Sequence, residues 1–77
     1  MSRNKKEFKY MYSLIKRVLD DETVKFEVVG KDNFKWSEAT NPKGALFGAM
    51  ASGVSLKDIE INMFVPDFGQ VLARANG

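Results

Sequence analysis

The residues in this chain best equipped for chemistry are cations on a regular spacing near its start: Lys5, Lys6, Lys9, Lys16 and Arg17. At about 100° per helical residue they fill one arc, while Phe8, Met11, Tyr12, Ile15, Val18 and Leu19 fall in an opposite arc of about 120°. Counting Arg3, six cations up to Arg17 stand against one acid, Glu7, a net +5; the remainder has six cations against nine acids, a net −3. A stripe of this kind binds anions. Spread over about three turns it can follow a phosphate backbone, with Tyr10 beside it able to stack on a base and Ser13 lying inside the stripe. The same pattern also serves as a solvated surface face, which needs no ligand.

Two further constellations share one segment. Thr40, Asn41, Lys43 and Gly44 surround Pro42 at the expected start of a helix, where unpaired backbone N–H groups, a lysine and an uncluttered glycine suit a phosphate or another anion. Gly44, Gly48 and Ser52 repeat every four residues and so stack on one helical face. Two glycines inside a helix cost up to about 1 kcal/mol each, a cost that close approach by another element, or by a second subunit, would offset. Met50, next to that face, suits an adaptable interface.

Catalytic equipment is sparse. With no histidine and no cysteine there is no imidazole base, no thiolate nucleophile and no soft metal site. Asp20, Asp21 and Glu22 are consecutive and do not aim at a common centre, and Asp58 and Glu60 form a pair common on exposed strand faces. Both groups read as solvated charges. No metal, cofactor or enzymatic activity is expected.

The elements that must position these residues form an expected order α-β-β-α-β-α. The first helix runs from Met1 to about Asp21, capped by Asn4 with Glu7 reaching back, and ends in the acidic run. Val24, Phe26 and Val28, then Phe34 and Trp36, alternate with polar residues as a β-hairpin. A three-residue loop, Gly30 to Asp32, pairs Val28 with Phe34 and Phe26 with Trp36, keeping the apolar groups on one face. The second helix runs from Pro42 to about Ser52, closed by Gly53. Ile59, Ile61 and Met63 alternate with Asp58, Glu60 and Asn62, which favours a third strand, Asp58 to Val65, over a helix. Asp67, with Gln70 three residues later, caps a terminal helix that presents Phe68, Val71, Leu72 and Ala75 to the core.

The segment Gly48 to Asn62 loosely resembles the helix-turn-helix of DNA-binding regulators in Ala49, Gly53, Val54 and Ile59. That resemblance implies a recognition helix at Leu56 to Phe64. Such a helix would be net acidic, with Lys57 against Asp58 and Glu60, and would repel phosphates.

The expected fold is a single α+β domain, residues 1–77, in which a small antiparallel sheet is packed by the N-terminal amphipathic helix and the Gly/Ala-rich second helix. A domain of this size buries only about 60% of its unfolded surface, so self-association as a homo-oligomer is expected. No apolar stretch resembles a signal peptide or membrane span, and the absence of cysteine gives no sign of an oxidising compartment; the expectation is a cytoplasmic protein with no membrane partner. For function, the sequence favours a small non-enzymatic regulator or inhibitor, of the size phages and mobile elements encode, that occupies a protein target. The alternatives are nucleic-acid binding by the basic stripe and sequestration of a phosphorylated small molecule at the second helix.

Overall fold

The computed structural model describes residues 10–77, an α+β arrangement of one four-stranded mixed sheet and two helices. Strands β1 (Tyr12–Val18), β2 (Val24–Val29) and β3 (Lys35–Ala39) precede helix α1 (Pro42–Ala51). A two-residue strand β4 (Ile59–Glu60) and helix α2 (Phe68–Asn76) follow. The spatial order is β3-β2-β1-β4, antiparallel except for β1 and β4, which run parallel.

The expected first helix is the main correction. Its positions up to residue 9, Lys5, Lys6 and Lys9 among them, lie outside the described residues, and Tyr12–Val18 is a strand. The reason lies in Leu14, which the helical reading leaves off the apolar arc. As a strand residue Leu14 sits opposite Val28, and the two are 3% and 0% exposed. Pairing with β2 thus buries a side chain that the helix would have left in water, and β-branched Ile15 and Val18 suit the pleated backbone. The acidic run becomes the β1–β2 turn: Glu22 takes a left-handed φ of 68°, and the Asp21 carboxylate accepts from the Thr23 N–H at 3.0 Å.

The β2–β3 hairpin forms, in a different register. Val28 lies opposite Ser37 and Phe26 opposite Ala39, with a bulge that shifts Val29 onto Lys35. Asp32 and Asn33 both adopt φ near 60°, so the loop closes as a 3₁₀ turn, with Gly30 N–H donating to the Phe34 carbonyl. The longer loop and bulge move the two aromatics away from Phe26 and Val28. Trp36 packs edge-on against Tyr12 and Phe34, with ring centroids at 5.8 and 5.4 Å, and stays 38% exposed.

Helix α1 matches its expected span. Asn41 caps it by accepting from the Gly44 N–H at 2.7 Å, with Pro42 at the first helical position. At its other end Gly53 N–H donates to the Met50 carbonyl and Val54 N–H to the Ala49 carbonyl, the paired bonds of a Schellman motif, for which Gly53 takes φ 102°. The helix lies on the face carrying Leu14, Val28, Ser37 and Ala39 and buries Ala45, Leu46 and Ala49 there.

The expected third strand shrinks to β4, preceded by a 3₁₀ turn at Leu56–Asp58, so the stretch holds no recognition helix. Its parallel pairing, Tyr12 with Ile59, makes the sheet mixed rather than antiparallel. In α2 only Val71 is buried, and Leu72 is 44% exposed.

The glycines separate packing from helix propensity. A Cβ at Gly48 would stand 3.1 Å from the Ser37 Cβ, whereas one at Gly69 meets nothing within 4 Å. Gly48→Val is expected to destabilise by about 1–3 kcal/mol through overpacking, and Gly69→Ala to stabilise by up to about 1 kcal/mol. Urea unfolding midpoints with unchanged slopes check both signs.

Candidate functional site

The fold disperses the basic stripe. Lys16 and Arg17 are neighbours on a strand, so their side chains leave opposite faces of the sheet. Arg17 and Ser13 share the face turned away from α1, while Lys16 sits opposite Phe26 on the other. Tyr10 precedes β1 and lines a groove elsewhere.

The face turned away from α1 pairs three of its cations with two carboxylates. Arg17 donates from Nε and Nη2 to the two Glu27 carboxylate oxygens, each at 3.0 Å, and Glu27 is 4% exposed. Lys25 bonds one Glu38 oxygen at 2.6 Å and Lys35 bonds the other. The hydrogen bond from Lys25, then that from Lys35, holds the Glu38 carboxyl down at about 2. The guanidinium of Arg17 is raised in turn, by its hydrogen bond and then its attraction to Glu27. Three cations here thus already have carboxylate partners within the chain.

The start of α1 is likewise filled from within. Asn41 occupies the Gly44 N–H, and Ala45 N–H donates to the Asn41 carbonyl. Lys43 turns to α2, donating to Gln70 Oε1 at 3.1 Å and standing 3.6 Å from Asp67. Asp67 and Gln70 therefore reach Lys43 rather than forming the expected cap, and Thr40 is simply exposed. On the small-residue face, Gly44 faces the Ala39 Cβ and Gly48 the Ser37 Cβ, so the close approach that these glycines permit is made by β3 of the same chain. Ser52 is the exposed C-cap of α1.

The surface that remains open is an apolar groove. It runs between the C-terminal end of α1, the connection from Gly53 to Val65 and α2, and is an open depression of about 1130 Å³. Met50, Leu56, Ile61, Met63, Phe64, Phe68 and Leu72 give it an apolar lining, and Phe64 is 83% exposed. Among the described residues, Lys57 and Arg74 are the charged ones that line it. Arg74 also lies over the Phe47 ring, 5.0 Å from its centroid, a cation–π contact that holds it at the edge of α2.

Of the described candidate site residues, Met50 and Tyr10 line this groove, and Ser13, Lys16, Arg17, Thr40, Asn41, Lys43, Gly44, Gly48 and Ser52 do not. The sequence reading puts Ile61, Met63 and Phe64 in the expected third strand and Leu72 in the core, and gives Leu56 a place only in the helix-turn-helix resemblance. A signal was present: Ile61, Met63, Phe64 and Val65 put more apolar surface into one short run than a single buried strand face can cover. Among the described residues no three His, Cys, Asp or Glu side chains cluster as metal ligands, and no helix is long and apolar enough to cross a membrane.

Comparison with known proteins adds nothing to this geometry: no family model, no curated protein and no solved structure matches the chain.

Because Glu38 is held below its ordinary value of 4.5 in the folded state, its pairing stabilises fully above that value. The contribution is lost as pH falls towards about 2. Glu38→Gln is therefore expected to lower stability at neutral pH and to lose less on acidification than the wild-type chain, as urea midpoints from about pH 6 to about pH 2.5 would show. Arg17→Met, which strips Glu27 of its partner, is expected to lower the neutral midpoint more than Lys16→Met does.

Proposed function

We propose that the protein is a small non-enzymatic binding protein, a regulator or inhibitor that acts by occupying a macromolecular target, and that the groove is its contact surface. The observation that supports this most directly is Phe64, 83% exposed, which lines the groove together with Leu72 at 44%, whereas the exposed Met11, Val18 and Phe34 do not line it. Apolar side chains gathered along one concave groove, rather than scattered singly over the surface, are what a contact surface draws on. Two methionines, Met50 and Met63, line it, and unbranched thioether side chains adjust to an incoming surface.

The cationic stripe proposed for nucleic acid draws less support. Its described members are split between two sheet faces, and Arg17 is engaged by Glu27. The anion site at α1 is in the same position, its N–H and lysine being bonded within the chain. Self-association remains part of the proposal, with the groove rather than the glycine face as the available surface.

Methyl NMR tests the assignment without knowledge of the natural target. On titration with a short amphipathic helical peptide, the Met50 and Met63 methyl signals are expected to shift while that of Met11, which does not line the groove, stays in place. Phe64→Ser is expected to weaken the peptide roughly tenfold or more while changing stability by no more than about 0.5 kcal/mol, since the side chain is already in water. Unmoved Met50 and Met63 signals would overturn the assignment.

A further inference from the structure

Helices α1 and α2 are nearly equal in length and differ in how they are held. The ten residues of α1 are capped by Asn41, closed through Gly53, and bury Pro42, Ala45, Leu46 and Ala49. The nine residues of α2 bury Val71 alone. We infer that α2 is a detachable latch, which undocks and unwinds as one unit while the sheet and α1 stay folded.

The sequence of α2 gives it little support of its own. A helix shorter than about 12–15 residues is marginal in water without packing. Gly69 in the first turn lowers its propensity further, and the Asp67 side chain, turned to Lys43, does not cap it. Once undocked, it unwinds.

Its attachments are few. Val71 is fully covered and Phe68 partly so. Beyond them, Lys43 donates to Gln70 Oε1 at 3.1 Å and stands 3.6 Å from Asp67, and Arg74 lies over the Phe47 ring. Polar contacts as exposed as these contribute little each.

A hinge joins α2 to the body. Val65 is buried in the core, and Pro66 and Asp67 lead from it to the helix, with Asp67 held at φ 61°. This left-handed conformation is strained for a residue with a side chain, and undocking releases it. Opening also carries Phe68, Leu72 and Arg74 away from the groove, which has this wall only while the latch is docked. The latch itself does not depend on the groove being a contact surface.

Native-state hydrogen exchange on the whole chain tests this. The amides of Leu72 to Ala75 are expected to share one protection factor, roughly tenfold or more below those of Phe47 to Ala49 in α1 and of the central strand β2. Arg17→Met, which breaks the pairing with Glu27, is expected to lower protection in α1 and β2 and to leave that of α2 unchanged, because the latch opens without the sheet. Glu38→Gln, a milder change on the same sheet face, serves in the same way. Val71→Ala is expected to lower α2 protection roughly tenfold or more. Protection in α2 that equals that of α1, or falls with it in Arg17→Met and Glu38→Gln, would show a single cooperative unit and overturn the latch. Protection graded along the helix from Leu72 to Ala75 would show fraying of its end in place of a unit, and would overturn it too.

Discussion

The structure depends on how closely α1 can lie on β3. With side chains at Gly44 and Gly48, Cβ atoms would stand 3.0 and 3.1 Å from those of Ala39 and Ser37, inside ordinary packing distance. Their absence lets the helix settle until the Ser37 hydroxyl donates to the Ala45 carbonyl at 2.5 Å. Ala45, Leu46 and Ala49 are then fully covered by a sheet face that also carries Leu14 and Val28. The conformational cost of the two glycines is offset by this burial. The groove follows from the same placement. Once α1 has taken the sheet face, the chain beyond Gly53 has little covered surface left: Val54, Ile59, Val65 and Val71 reach the core, and Phe64 and Leu72 remain outside.

The two main surfaces differ in electrostatic character. On the sheet face turned away from α1, Glu27 is gripped by Arg17 and Glu38 is shared between Lys25 and Lys35. Mutual satisfaction leaves that face little to offer a charged partner. The groove is lined mostly by apolar side chains, with Lys57 and Arg74 among its described lining residues.

Elements set by local chemistry were legible in the sequence, and those set by tertiary pairing were not. Asn41-Pro42 and Gly53 delimited α1 within a residue, because caps and left-handed glycines are local requirements. The hairpin was legible from alternation, but its register was not, since Asp32 and Asn33 both adopting positive φ lengthened the loop beyond three residues. At Tyr12–Val18 a helical period and a strand period compete for the same residues. Pairing of Leu14 with Val28 decided the outcome, and no window confined to that stretch contains Val28. The small-residue repeat, expected as an interface with a partner or second subunit, has β3 of the same chain against Gly44 and Gly48. Of the groove, Met50 and Tyr10 were visible; Phe64 was marked only by the excess apolar surface of its run, because alternation does not show that the strand stops after two residues.

The central claim is that the Phe64 face is open to solvent in the folded protein. Solvent relaxation with a soluble, neutral gadolinium chelate measures this residue by residue on the native chain. The account predicts strong broadening of the Phe64 and Leu72 side-chain signals, with Leu46 and Val71, both fully buried, left sharp. A Phe64 signal as protected as that of Leu46 would mean that the groove is closed in solution, and would contradict the account.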